Sequence, residues 1–377
     1  MSRVQTLEGT FGHGGGLGAA ARLIGMREAE LDDFSTNCFF AASPLTEHLL
    51  GGQGRFSGAA LLHYPDPEVR RLRARLAVRE ALPADMIVAG NGASELIWAS
   101  LLALRGKGAR RALFLGPIFV QYARACAALG LEQEHIVCRE ENAFLPDDSA
   151  LDSVARSRAD LVIVCSPNNP GTGVLREFTP LMNAVGKRTL LLDACYRSFL
   201  QEEDPGFPRY SRLMELACPG GEAILLDSLT KFFCCPGVRL GFAVTGKELA
   251  AGIESCRPSW SVGMAAEDAG LTLLEKESAY RELLPALAED VENLARHLEK
   301  SGMFRRVLRG TSFVAAAVKD GRAADMQERL LRLHGILIRV CDNVPGMPGG
   351  WVRIQARPES YMQRLYAALP PEAEERH

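Results

Sequence analysis

Ala223-Ile224-Leu225-Leu226-Asp227-Ser228-Leu229-Thr230-Lys231 is the stretch on which the reading of this chain turns. Four apolar residues without alternation suit a strand buried on both faces. Two hydroxyls and a lysine follow at its end. Eight residues later Arg239 stands in Gly237-Val238-Arg239-Leu240-Gly241-Phe242. A strand therefore delivers an amine into a loop, with hydroxyls before it and a guanidinium after it. An amine can condense with an aldehyde, and the hydroxyls and guanidinium can bind a phosphate.

Working outward, short apolar runs recur at residues 86–89, 112–115, 134–137, 161–165, 190–192, 223–226 and 241–244. Segments long enough for crossover helices separate several of them, at 94–104, 119–129 and 176–185. This predicts an α/β fold: a mostly parallel seven-stranded sheet flanked by helices. Past Val244 the texture changes. Residues 263–300 read as one long helical stretch kinked at Pro285. A strand over 312–318, a helix over 325–334 and strands near 336–338 and 351–354 read as a smaller α+β domain. The expected division is an N-terminal segment (1–44) joining the small domain, a large domain (45–260) and the small C-terminal domain (261–377).

Composition narrows the class. Hydrophobic residues are 47% and charged residues 24% of 377, as in a globular enzyme, and the net charge of -3 gives no basis for nucleic-acid or membrane binding. The ten cysteines include no Cys-x-x-Cys pair, so no metal site is expected. Free thiols, with no apolar signal core in residues 1–25, point to the cytoplasm.

Four other segments lie at strand ends. Asn91-Gly92-Ala93-Ser94 opens a helix, where small residues let backbone N–H groups approach an anion. Gly116-Pro117-Ile118-Phe119 presents an aromatic ring that could stack on a planar cofactor. In Ser166-Pro167-Asn168-Asn169-Pro170-Gly171-Thr172-Gly173 two prolines fix an Asn pair in a turn. Asp193-Ala194-Cys195-Tyr196 places a carboxylate where it can pair with a protonated ring nitrogen. Together with Lys231 these are the parts needed to hold pyridoxal 5′-phosphate.

The order of these motifs resembles that of the class I/II aminotransferase family, the fold-type I pyridoxal-phosphate enzymes. The resemblance implies Lys231 as the Schiff-base lysine and Asp193 as partner of the pyridine nitrogen. Asn169 and Tyr196 would be ligands of the phenolate oxygen, with Phe119 stacked on the ring. Gly92, Ala93, Ser94, Ser228, Thr230 and Arg239 would hold the cofactor phosphate. It also implies a homodimer, in which Tyr64 reaches the partner's phosphate site.

Within the family two groups with phosphorylated substrates are most similar: threonine-phosphate decarboxylases and histidinol-phosphate aminotransferases. His13-Gly14-Gly15, the segment Leu31-Asp32-Asp33-Phe34-Ser35-Thr36-Asn37, and the pair Arg339 and Arg353 resemble the decarboxylases. His13, Asn37, Arg339 and Arg353 are thus the expected substrate residues, for a small amino acid carrying both carboxylate and phosphate. Three departures stand out: Cys38-Phe39-Phe40 after Asn37, Val340 after Arg339, and Ala194-Cys195 after Asp193. They bear on the substrate side chain more than on the cofactor. The expected reaction is decarboxylation of L-threonine O-3-phosphate to aminopropanol phosphate for cobalamin biosynthesis. The alternatives are serine-phosphate decarboxylation, a histidinol-phosphate-type transamination, and a non-catalytic protein that binds the cofactor.

Overall fold

The computed structural model describes residues 14–51, 62–204, 206–217 and 221–371. Its first strand, β1 (Asp32–Asp33), is followed by β2 (Ile87–Gly90), β3 (Arg111–Leu115), β4 (Glu132–Ile136), β5 (Leu161–Cys165), β6 (Thr189–Asp193), β7 (Glu222–Ser228) and β8 (Gly241–Val244). The seven apolar runs singled out in the sequence are the seven strands β2 to β8 of one sheet, in the order β2-β8-β7-β6-β5-β3-β4. Strands β3 to β7 pair in parallel. Strand β8 runs antiparallel to both neighbours, β2 and β7. The chain between β7 and β8 forms the lysine turn Leu229–Phe232 and the 3-10 turn Pro236–Val238, not a crossover helix, so β8 returns beside β7 in the opposite direction.

Helices cover the sheet. The one spanning Gly92–Gly106 buries Ile97, Leu101 and Leu104, spaced four and three residues apart on the face toward the sheet. Central strands β5 and β6 are apolar and almost wholly buried, which explains their lack of alternation.

Strands β9 (Phe304–Arg309), β10 (Phe313–Val318), β11 (Ile336–Leu337), β12 (Arg339–Val340) and β13 (Trp351–Gln355) follow. An antiparallel sheet orders them β12-β13-β10-β9, while β1 pairs in parallel with β11. Two expectations need correction here. Residues 263–300 form three helices, Met264–Glu275, Glu277–Arg281 and Leu284–Lys300, rather than one kinked helix. Pro285 lies in the first turn of the third, where its missing N–H costs nothing. Strand β9 went unread because it carries three arginines and no clean period of two. It pairs only with β10, at the sheet edge, where charge is tolerated.

The C-terminal ends of β3, β5, β6 and β7 open on one cleft of about 510 Å3. Ligands of open α/β sheets bind outside such strand ends.

Candidate active site

At one end of the cleft lies an anion cradle. Ala93 and Ser94 begin the helix Gly92–Gly106, whose N-terminus favours negative charge. Gly92 has φ 76°, and a Cβ there would stand 2.6 Å from an Arg239 guanidinium nitrogen. Arg239 itself has φ 55°, a left-handed backbone that turns its side chain toward the helix start. Ser228 Oγ caps the lysine turn, accepting from Thr230 N at 3.2 Å, and lies 2.7 Å from Thr230 Oγ1. Open backbone, hydroxyls and a guanidinium together fit a phosphate.

Lys231 is half-buried in the same wall, and no hydrogen bond or ion pair of its Nζ is present among the described residues. Asp193 stands at the end of β6, buried. Its Oδ2 accepts from Tyr122 Oη at 3.1 Å and its Oδ1 from Cys195 N at 3.1 Å. Burial pushes this carboxyl above the ordinary carboxylate range, against those hydrogen bonds. No cation pairs with it among the described residues. A buried carboxylate in that state fits a protonated ring nitrogen, whose charge would offset its own. Asn169 donates from Nδ2 to Tyr196 Oη at 2.9 Å. Burial raises the Tyr196 phenol, so it keeps its proton to donate onward. Phe119 lines the cleft just before the helix Val120–Ala128. The donor set therefore fits pyridoxal phosphate at each part: phosphate, ring nitrogen, ring oxygen and aldehyde.

The other end is cationic. Arg339 on β12 and Arg353 on β13 are direct cross-strand partners, so both side chains leave the same face of the sheet and line the cleft. Arg353 donates from one terminal nitrogen to Asn169 Oδ1 at 2.7 Å and from the other to Ser35 O at 2.6 Å, and its buried Nε has no partner among the described residues. Arg339 donates to Asn343 Oδ1 and to Val340 O, each at 2.5 Å. Burial, with the facing Arg353, pulls the Arg339 guanidinium below its ordinary value. An anion held between the two would relieve that repulsion.

Of the residues expected from the sequence, Ala93, Ser94, Phe119, Asn169, Asp193, Tyr196, Ser228, Thr230, Lys231 and Arg239 line this one cleft, together with Asn37, Arg339 and Arg353. Gly92 sits against Arg239. Tyr64 does not join them: it is 79% exposed and stacks on Trp260 with ring centroids 4.7 Å apart. His13 lies outside the described residues; Gly14 and Gly15 beside it line the cleft, with Gly15 N bonded to Ser35 Oγ at 2.8 Å. Tyr122 was missed. It follows Phe119 by three residues, one helical turn, and that spacing could have revealed it. Cys38, Cys341 and Val344 also line the cleft without a sequence signal beyond their neighbourhood.

A family model described as "Aminotransferase class I and II" matches residues 41–369. The threonine-phosphate decarboxylase of Salmonella typhimurium is 30% identical over 365 residues, covering 95% of each chain. A histidinol-phosphate aminotransferase of Caldanaerobacter subterraneus is 26% identical over 289 residues, covering 76% of this chain and 78% of its own. Among solved structures, an L-threonine-O-3-phosphate decarboxylase from Porphyromonas gingivalis superposes with a TM-score of 0.73 at 24% identity, over 89% of this chain and 97% of that one, which speaks to the fold.

Proposed function

The chain belongs to the class I and II aminotransferase family, whose cofactor is pyridoxal 5′-phosphate, and from that premise we propose that it decarboxylates a phosphorylated amino acid. L-Threonine O-3-phosphate is the substrate, aminopropanol phosphate the product, and cobalamin biosynthesis the setting. The observation that carries this reading is the in-register pair Arg339 and Arg353 at the end of the cleft away from the phosphate cradle. Two guanidiniums suit a substrate with two anionic groups. The relative named for that reaction, 30% identical across nearly the whole chain, supports the choice.

When bound, the cofactor supplies an electron sink for the bond broken at the substrate's Cα. Lys231 Nζ holds its aldehyde carbon. The N–H groups of Ala93 and Ser94 and the side chains of Ser228, Thr230 and Arg239 hold its phosphate, and Asp193 keeps its ring nitrogen protonated. Phe119 covers one ring face, while Tyr196 and Asn169 donate to the ring oxygen. Arg339, Arg353 and Asn37 anchor the substrate's anionic groups, and His13 is the remaining residue proposed for that role. That anchoring would orient the substrate so that its carboxylate, rather than its Cα proton, is the group released. The Lys231 amine then returns a proton to Cα. Tyr64 reaches the phosphate cradle of a second copy in a homodimer, and the enzyme works in the cytoplasm. No helix among the described residues is long and apolar enough to cross a membrane.

The second reading is a histidinol-phosphate-type aminotransferase, favoured by the relatives of that name. Histidinol phosphate lacks the α-carboxylate of threonine phosphate, so its phosphate alone would meet the two arginines. The deciding experiment measures carbon dioxide release from threonine phosphate, serine phosphate and histidinol phosphate, alongside conversion of the cofactor to its pyridoxamine form. Carbon dioxide from threonine phosphate with the cofactor unchanged is expected. Complete conversion to the pyridoxamine form without carbon dioxide would replace decarboxylation by transamination.

A further inference from the structure

Beneath the cleft runs a chain of buried charges that none of the cofactor contacts uses. Arg197 directly follows Tyr196, and its side chain is 1% exposed. Its Nε donates to Asp227 Oδ2 at 2.6 Å, and a terminal nitrogen donates to Glu80 Oε1. Asp227 directly precedes Ser228 and is equally buried. Its other oxygen, Oδ1, accepts from Ser228 N at 2.7 Å. Glu80 pairs on with Arg79 at 2.9 Å, Arg79 with Glu277 at 2.9 Å, and Glu277 with Arg281 at 2.9 Å. Arg79 also donates to Ser198 Oγ at 3.0 Å.

The position of the first pair matters more than its charge. Asp193 ends β6, and Tyr196 stands just beyond it. Ser228 ends β7, and Thr230 and Lys231 stand in the turn after it. Arg197, beyond the end of β6, and Asp227, near the end of the neighbouring β7, each sit one residue from a cleft residue, and their side chains meet. Burial pushes the Asp227 carboxyl up, and the Arg197 guanidinium works against it. The same guanidinium faces Phe207 and Phe242, with its central carbon 5.3 and 5.8 Å from the ring centroids, so it cannot swing away. A buried ion pair is weak evidence for stability as such, but its geometry is specific.

We infer that Arg197 and Asp227 are positioning residues that set the spacing between the ring-oxygen donor Tyr196 and the phosphate ligand Ser228, and hence the tightness with which the cofactor is held. This rests on the cofactor site proposed above. Arg197 fixes the turn that carries Tyr196 to Asp227, and Asp227 fixes the Ser228 backbone, whose hydroxyl lines the cleft beside Thr230.

The test measures the dissociation constant of pyridoxal phosphate well below the melting transition, with apo-protein melting followed in parallel. Wild-type protein that fails to hold the cofactor on Lys231 would sink the site reading itself and, with it, this inference. Given a wild type that binds, Arg197→Met should weaken retention roughly ten- to a hundredfold, the scale of a lost charge-assisted contact. Arg197→Lys, which can serve one carboxylate at a time, should recover part of it. In a double-mutant cycle, Arg197→Met combined with Ser228→Ala or with Tyr196→Phe should lose less than the product of the single effects, because Arg197 acts through those residues. Additive effects, or wild-type retention in a folded Arg197→Met protein, would overturn the inference. Should Arg197→Met fail to fold, Asp227→Asn and Arg197→Lys decide it by the same cycle: wild-type retention in both overturns it, and weakened, non-additive retention supports it.

Discussion

Asp193 pays for its position in the fold. Buried at the end of β6, its carboxyl is pushed above the ordinary carboxylate range, with burial as the leading cause. In acid it is neutral and costs the interior little. As pH rises through its folded pKa, keeping it ionised in the interior costs stability, and an asparagine escapes that cost. Cofactor-free Asp193→Asn should therefore melt above wild type at about pH 7 and higher. The gap should close as pH falls below the ordinary carboxylate range. With cofactor the order reverses: the variant should hold it less tightly and lose most turnover, because an amide cannot keep the ring nitrogen protonated. Melting curves of both forms across pH check this, and an apo variant no more stable than wild type at neutral pH would remove burial as the governing effect. Cys38 offers a second titration. The hydrogen bond with Cys234 holds its thiol below the ordinary thiol range against burial, with Lys231 and Arg353 adding to the shift. Alkylation of Cys38 in the apo protein, followed by mass spectrometry, should level off at lower pH than that of an ordinary thiol. A Cys38 profile that climbs like the ordinary thiol would contradict the lowered value.

At the scale of elements, the cradle depends on glycine where the helix after β2 begins. Gly92 has a positive φ and faces the Arg239 guanidinium with no room for a Cβ. Gly92→Ala should cost about 1–2 kcal/mol for the left-handed backbone alone. It should also push Arg239 away, so cofactor affinity should fall further than melting temperature does. Equal retention by Gly92→Ala and wild type would mean that Arg239 does not serve the cradle. This element was legible because strand, glycine, serine and helix are consecutive in the chain. The same locality made β2 to β8 readable: all but the exposed edge strand β4 are short, largely apolar runs buried in the sheet. Locality fails for β8, whose reversed direction is set by how the intervening residues are spent, and for β9, whose three arginines hide an edge strand. It fails in part for Tyr122: its place one turn after Phe119 is local, but its link to Asp193 spans 71 residues.

Across the whole molecule, the cleft is closed by a strap that the sequence hid, because its bonds join residues more than 270 positions apart. Gln355 donates to Cys38 O at 2.8 Å, Ser312 Oγ to Asn37 O at 2.9 Å, Arg353 to Ser35 O, and Arg357 to Asp33 O. Arg353, Gln355 and Arg357 alternate along one line of the chain, so one face of β13 and its extension grips the carbonyls of residues 35, 38 and 33. Arg357 is also packed between two rings, its guanidinium carbon 4.0 Å from the Phe34 centroid and 4.3 Å from that of Phe40. Phe40 is one of the residues that depart from the resembling family at this point. The departure after Asn37 thus has a structural use: it supplies the second wall for Arg357. The strap carries Asn37 to the cationic end of the cleft, whereas the phosphate cradle is built from the strand ends of the large sheet. The two ends should therefore fail separately. Arg357→Met keeps much of the volume but loses the charge-assisted bond and both ring contacts, about 1.5–3 kcal/mol of local stability. Cofactor retention should stay near wild type, while the Michaelis constant for the phosphorylated amino acid should rise roughly tenfold or more as Asn37 loosens. Steady-state kinetics beside a cofactor-binding titration separate the two. Parallel losses at both ends would mean that the strap supports the whole cleft and that the cradle does not stand on the sheet alone.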